Sequence, residues 1–129
     1  MKRIFTITII LFAALSLKAQ VKKSSFDGNF SIRIETEETT TGTASITYIF
    51  EIKKDYATLT TTTYHEPIRC NGSYKTLEND NILTLKYNGK EANCKSTTFT
   101  IKKQDNNYFI KGAGGEATYN TWLKLNKGK

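Results

Sequence analysis

The stretch ITYIFEI, residues 46–52, places large apolar side chains at every second position. The shorter stretch FSIRI, residues 30–34, repeats this alternation with smaller residues. Side chains on a β-strand point alternately to the two faces of a sheet, so a period of two indicates strands with one buried face. No window of the chain after residue 20 shows the 3.6-residue period of an amphipathic helix. The pattern predicts an all-β domain.

The same alternation predicts about eight strands separated by turn residues. They are expected near residues 30–34, 46–52, 57–64, 68–77, 83–87, 97–101, 108–110 and 119–125. The polar segment 36–43 predicts a long hairpin loop, and Asn88-Gly89 predicts a two-residue turn. Short strands with turns at this spacing indicate one antiparallel meander, folded as a closed or partly open barrel or as a sandwich.

The N-terminus has the pattern of a signal peptide. Residues 1–3 are MKR, an apolar run follows from Ile4 to Leu17, and Ala19 lies where a signal peptidase would cut. The run is shorter than the roughly 20 apolar residues that a transmembrane helix needs. No cysteine follows it for lipid attachment, since the first in the chain is Cys70. We therefore expect a signal peptide over 1–19, one domain over 20–129, and no stable membrane anchor after cleavage.

Export leaves two destinations open, the periplasm and the medium outside the cell. It also changes the charge, which is formally +7 for the whole chain. Cleavage after Ala19 removes Lys2, Arg3 and Lys18 and no acidic residue, so much of the basicity belongs to the signal peptide. The remaining charge is spread over several strands, and we expect no nucleic-acid partner.

The two cysteines, Cys70 and Cys94, favour a disulfide because exported proteins fold in an oxidising compartment. In a meander, the starts of the fourth and sixth strands lie at the same end of the sheet, about 9–10 Å apart. A disulfide needs Cα atoms within about 7 Å. Cys94 is therefore expected in the connection after Gly89, folded across the rim, with the bridge in a structural role.

The segment DGNF, residues 27–30, resembles the Gly-x-aromatic start of lipocalin-like (calycin-type) barrels, with Phe30 where they carry tryptophan. The middle of the chain, residues 46–70, also resembles small exported bacterial domains of uncharacterised function. The resemblance implies an aromatic side chain at the barrel floor capped by a basic one. Trp122 and Arg33 are the candidate pair, with Phe30 and Lys124 as alternatives. It implies an architecture only, because lipocalin-like folds carry many functions.

The sequence contains no recognisable catalytic constellation. His65 is the only histidine, and on a strand its side chain points away from that of its neighbour Glu66. A Cys70–His65 dyad is excluded if Cys70 is bridged. The segment GAGG, residues 112–115, lacks the following helix that a phosphate cradle requires and predicts a mobile loop at the barrel mouth. We expect no enzymatic activity, no metal and no cofactor.

Two non-enzymatic functions remain. In the first, the barrel holds a small apolar or amphipathic molecule, and the aromatic side chains that line it are Phe30, Tyr48, Phe50, Tyr87, Phe99 and Tyr108. In the second, the loops over residues 36–43 and 112–118 bind another extracytoplasmic protein, for example a hydrolase such as lysozyme that the domain inhibits. An enclosed apolar cavity of a few hundred Å³ would support a carrier, whereas a filled interior would remove that function and leave the loops. The sequence leaves the oligomeric state open.

Overall fold

The computed structural model describes residues 25–64, 70–115 and 118–128. Within them lie eight strands: β1 (Gly28–Thr39), β2 (Gly42–Ile52), β3 (Tyr56–Tyr64), β4 (Gly72–Asn79), β5 (Ile82–Tyr87), β6 (Thr98–Gln104), β7 (Asn107–Lys111) and β8 (Leu123–Lys127). Each strand pairs antiparallel with the next, and β8 pairs with β1 to close a barrel. The all-β meander is confirmed. The predicted signal peptide over residues 1–19 and His65 lie outside the described residues.

The two ends of the barrel differ. Because neighbouring strands run antiparallel, successive connections alternate between the ends. One end, here called the floor, carries the short connections 53–55, 80–81 and 105–106. Asp80 and Asp105 adopt φ angles of 55° and 57° in two of these turns, a conformation that aspartate tolerates. The other end, the mouth, carries the longer connections 88–97 and 112–122.

The segment 36–43 is not the long hairpin loop that its polarity predicts. β1 and β2 continue to Thr39 and Gly42, which leaves a two-residue turn at the mouth. A bulge between Glu35 and Glu37 shifts the register by one residue. Threonine is a good strand residue, and an exposed hairpin can be polar on both faces. The segment therefore belongs to the wall of the barrel.

Asn88-Gly89 also differs from its prediction. It does not close a two-residue hairpin but begins the connection 88–97, which contains a short 3₁₀ helix at Ala92–Cys94. The Asn88 N–H donates a hydrogen bond to the Ser73 carbonyl of the preceding strand pair. The connection extends across the rim until Cys94 reaches Cys70, as the disulfide argument predicts.

Inward-facing side chains fill the barrel. Tyr48, Phe50 and Phe99 form a group of rings with centroids 5.2–6.2 Å apart. All three rings are buried, with at most 3% of their surface exposed. Aromatic pairs at these distances contribute beyond the area they bury, by about 0.5–1.5 kcal/mol each. The middle of the barrel is therefore a packed core.

An aromatic pair and a lysine close the floor. The Phe30 and Tyr108 rings meet edge to face at 4.9 Å. The Lys127 ammonium lies 5.8 Å from the Phe30 ring centroid and 5.3 Å from that of Tyr108. The floor thus pairs an aromatic with a basic side chain, and Phe30 and Lys127 hold those positions. Arg33 lies instead on the outer surface, 3.8 Å from the Glu35 carboxylate.

Candidate functional site

A cleft of about 860 Å³ opens at the mouth of the barrel, between the connections 88–97 and 112–122. Tyr48 and Phe99 lie at its base, where the packed core reaches the mouth. Its walls carry the hydroxyl groups of Ser96 and Thr97 and the amide of Asn93, among other polar groups. The cleft therefore combines a small aromatic base with polar walls.

The disulfide builds one wall of this cleft. Cys70 and Cys94 are bonded, with their Cα atoms 5.6 Å apart, and both residues border the cleft. The Thr97 hydroxyl lies 3.3 Å from the Cys70 sulfur. The Thr97 N–H also donates to the Cys94 carbonyl. The disulfide and the Thr97 hydroxyl hold the connection 88–97 against Cys70, just before β4, while the bond between Thr97 and Cys94 is internal to the connection.

Tyr74 supports the same wall from below, and sequence reasoning did not identify it as a site residue. Its hydroxyl donates a 2.6 Å hydrogen bond to the carbonyl of Cys70, which has a left-handed φ of 49°. The ring is fully buried and packs against Phe99 at 5.6 Å. Burial raises the pKa of the Tyr74 phenol, and the neighbouring phenols of Tyr87 and Tyr48 raise it further. Tyr74 thus remains a neutral donor under the disulfide.

The glycine-rich connection builds the opposite wall. Gly112 has a φ of 104°, and a Cβ there would lie 2.7 Å from the Thr98 carbonyl oxygen. The buried Gly114 N–H donates to the Tyr48 hydroxyl at 3.1 Å. The Thr118 hydroxyl donates to the carbonyl of Ala113, itself buried, at 2.9 Å. The loop lies at the mouth as predicted. The bond to Tyr48 ties it to the barrel, and the bond between Thr118 and Ala113 is internal to the loop.

The aromatic residues predicted to line a ligand take three different positions. Tyr48 and Phe99 border the cleft. Phe30, Phe50 and Tyr108 lie deeper, in the packed core. Tyr87 is half-buried at the rim, where its hydroxyl accepts the Glu91 N–H at 3.2 Å. Strand alternation identifies which of these rings point inward, but not which of them reach the mouth.

Trp122 lies outside this site and outside the floor. It precedes β8, and its ring contacts two lysines of neighbouring strands on the outer wall. The Lys102 ammonium is 4.5 Å and the Lys111 ammonium 4.9 Å from the ring centroid. The structure does not bring Trp122 and Arg33 together: the cations beside Trp122 are these lysines, and Arg33 contacts Glu35.

The described part of the chain contains no group of three or more histidine, cysteine, aspartate or glutamate side chains arranged to hold a metal. Across residues 25–64, 70–115 and 118–128, no helix is long and apolar enough to cross a membrane. The closed antiparallel meander of eight strands is consistent with a lipocalin-like architecture. Comparisons with protein-family models, curated proteins and solved structures found no match.

Proposed function

We propose that this protein is an exported, non-enzymatic binding module of lipocalin-like type that holds a small amphipathic molecule in its mouth cleft. The observation that carries the proposal is the cleft of about 860 Å³ with Tyr48 and Phe99 at its base. Ligand pockets in proteins typically enclose about 300–1,000 Å³ and combine apolar surface with a few polar groups that orient the ligand. The mouth cleft has a volume in this range and more polar walls, since the polar residues that border it are Glu91, Asn93, Ser96, Thr97, Thr98 and Asn120.

The filled interior excludes a wholly apolar ligand inside the barrel, so the small-molecule function is proposed only for an amphipathic ligand at the mouth. Phe50 and Phe99 fill the barrel below the cleft, with centroids 5.2 Å apart, so a ligand there occupies the mouth instead of the interior. An apolar group of the ligand would cover the aromatic base. Its polar groups would meet the hydroxyl and amide groups of Ser96, Thr97 and Asn93 in the walls. These polar groups are costly to bury unless a ligand supplies hydrogen bonds.

Two features support export. The disulfide is compatible with an extracytoplasmic protein, because such bonds persist in oxidising compartments. Residues 1–19 have the basic, apolar and small-residue order of a signal peptide. Mass spectrometry of the protein released by its own cells tests this directly: the mature chain is expected to begin near Gln20 and to lack both thiol hydrogens. A mature protein that begins at Met1 contradicts export by this signal.

Titration with the amphipathic dye 1-anilinonaphthalene-8-sulfonate tests the cleft. Gly115 borders it, and a Cβ added at Gly115 meets no atom of the described residues within 4 Å. A Gly115→Phe variant can therefore place a ring in the cleft without disturbing the barrel. The control is Thr60→Phe, because Thr60 is exposed on β3, away from the mouth.

We expect the wild-type protein and Thr60→Phe to bind the dye at one saturable site with similar affinity. Gly115→Phe should weaken binding at least tenfold. Equal binding by all three proteins, with both variants melting like the wild type, would reject the cleft as the binding site. If the cleft is not a binding site, native mass spectrometry of the protein from its own cells should also show no retained small molecule.

A second candidate function is the binding of a partner protein by the mouth. It is favoured by Tyr119, which borders the cleft yet exposes 52% of its surface. Tyrosine is one of the residues enriched at protein interfaces. A lysozyme activity assay with excess protein tests the hydrolase-inhibitor form of this candidate. Inhibition that Tyr119→Ala abolishes would support it, and unchanged lysozyme activity would exclude lysozyme as the target.

A further inference from the structure

The outer wall over β4 to β7 carries mostly positive charge. We call this surface the basic face. Its lysines occupy outward-pointing positions next to buried neighbours in each strand and are Lys75, Lys86, Lys102 and Lys111. The only acidic residue within these four strands is Glu78, which lies opposite the buried Leu83 and so on the inward side of the strand alternation. Two further carboxylates lie in the turns at its floor end, Asp80 beside the exposed aliphatic side chains of the β4–β5 hairpin and Asp105.

Within the described part of the chain, none of these lysines forms an ion pair. Among the described residues, the ion pairs are Arg33–Glu35 and Lys53–Glu51, both on the other half of the barrel. The strand register even places Lys75 directly opposite Lys86. Like charges at directly opposed positions destabilise a sheet. Apart from the contacts of Lys102 and Lys111 with the Trp122 ring, the charge on the basic face therefore does not stabilise the fold, which points to an external anionic partner.

Apolar side chains lie among the lysines. Leu77 exposes 64% and Ile82 42% of its surface, and both point outward from the hairpin of β4 and β5. Ile82 lies directly opposite Lys102 in the register. The Lys102 ammonium in turn lies 4.5 Å from the centroid of the half-buried Trp122 ring. The basic face thus combines exposed aliphatic groups, an aromatic ring and unpaired ammonium groups.

We propose that the basic face docks on the surface of an anionic phospholipid bilayer. The ammonium groups would meet the negatively charged headgroups, each lysine near such a surface strengthening binding several-fold. Leu77 and Ile82 would enter the boundary between headgroups and acyl chains, as apolar side chains of interfacial proteins do. Tryptophan is enriched at that depth. A soluble polyanion would use the lysines but leave Leu77 and Ile82 in water, so the bilayer fits the face better.

Docking through this face leaves the mouth accessible. The strands run between the mouth and the floor, and the basic face lies along their outer side. A barrel attached by its side therefore keeps the cleft open to the surroundings. The inference does not rest on the proposed function of the cleft.

The test is co-sedimentation of the exported protein with large vesicles of phosphatidylcholine, with or without about one-third phosphatidylglycerol. Trp122 is the only tryptophan in the chain, so it reports contact with the lipid directly. We expect binding to the anionic vesicles alone, a shift of the Trp122 emission to shorter wavelength, and quenching by lipids with brominated acyl chains.

Two lysine variants separate this face from the general charge of the protein. The first replaces Lys75 and Lys86 by glutamine; both are exposed on the basic face. The control replaces Lys54 and Lys90, which are exposed in the connections at the barrel ends. Both variants lose the same charge. The first should bind anionic vesicles about thirtyfold more weakly, and the control should stay within about threefold of the wild type.

A second pair tests the apolar contribution at constant charge. Leu77→Thr combined with Ile82→Thr should weaken binding about tenfold, because the transfer of two aliphatic side chains to the interface is lost. Ile49→Thr is the control, since Ile49 exposes 44% of its surface on β2, outside the basic face. It should bind like the wild type.

Several outcomes would overturn the proposal. They are absence of binding to anionic vesicles, equal weakening by the two lysine variants, and binding without quenching of Trp122 by brominated lipid. Dextran sulfate or single-stranded DNA provides the remaining arm. If either polyanion binds the wild type but not the first variant, and vesicles do not bind the wild type, the face binds a soluble polyanion instead. Thermal melting of each variant confirms that it is folded.

Discussion

The Tyr48 hydroxyl accepts the backbone N–H of Gly114 at 3.1 Å, across 66 residues of sequence. Tyr48 belongs to β2, and Gly114 to the glycine-rich connection at the mouth. The Tyr48 ring packs on Phe50 below and borders the cleft above. One side chain therefore joins the packed core, the loop and the candidate binding site.

Replacement of Tyr48 by phenylalanine should remove this bond and leave the buried Gly114 N–H without its acceptor. A buried donor left unsatisfied costs about 1–3 kcal/mol. We expect that loss in the free energy of unfolding by urea and faster hydrogen exchange at the Gly114 amide. Tyr56→Phe is the control, because Tyr56 exposes 49% of its surface, and it should change stability by less than about 0.5 kcal/mol. Unaltered exchange at Gly114 would contradict the role of the bond.

Two alanine substitutions in the same loop should differ sharply. Gly112→Ala places a Cβ 2.7 Å from the Thr98 carbonyl oxygen at a φ of 104°. Strained backbone of this kind costs about 1–3 kcal/mol, and the melting temperature should fall accordingly. At Gly115 a Cβ meets no atom within 4 Å in the part of the chain that the structure describes, so Gly115→Ala should melt like the wild type. Similar melting temperatures for the two variants would show that the loop adjusts freely at Gly112.

Removal of the disulfide should destabilise the domain through its unfolded state. Cys70 and Cys94 are separated by 24 residues, and closing a loop of that size contributes about 3 kcal/mol in the chain-entropy model. The double variant Cys70→Ser, Cys94→Ser should lose about that free energy in urea unfolding. It should also bind the dye more weakly, since the bridge forms one wall of the cleft. Unfolding of the variant at the wild-type urea concentration would show that the bridge has no structural role.

The folding stability of the domain should fall at alkaline pH because Tyr74 is buried. Its phenol has a raised pKa in the folded state because it is buried, and the neighbouring phenols of Tyr87 and Tyr48 add to the shift. It is neutral in both states below its ordinary pKa of about 10. Above that pH the unfolded chain loses the proton first, so the folded state loses stability, by at most about 1.4 kcal/mol per pH unit.

Tyr74→Phe should be less stable than the wild type near neutral pH, because the bond to the Cys70 carbonyl is lost. This difference should shrink as the pH rises above about 10. Urea unfolding of both proteins between neutral and alkaline pH measures it. A difference that stays constant with pH would mean that the Tyr74 phenol is not protected from ionisation by folding.

Local patterns were sufficient to predict much of the fold. The alternation in residues 46–52 identifies Tyr48 and Phe50 as inward-facing, because the period of a strand is a local property of the backbone. The cysteine spacing places Cys94 in a rim connection, because strand separation and disulfide geometry are nearly constant. Polarity was a poorer guide at residues 36–43, since both faces of an exposed hairpin can be hydrated while the strand ladder continues.

The tertiary structure was needed for everything that depends on residues far apart in sequence. Closure of β8 on β1 selects the barrel over the sandwich. It also places Lys127, rather than Arg33, beside Phe30. Cross-strand register and side-chain volume determine how the core is filled and where the cleft opens. They also determine which lysines of the basic face have no carboxylate partner among the described residues. The strand pattern at residues 46–52 therefore predicts a β-domain with inward-facing rings, whereas only the packing around the closed barrel shows where those rings leave space.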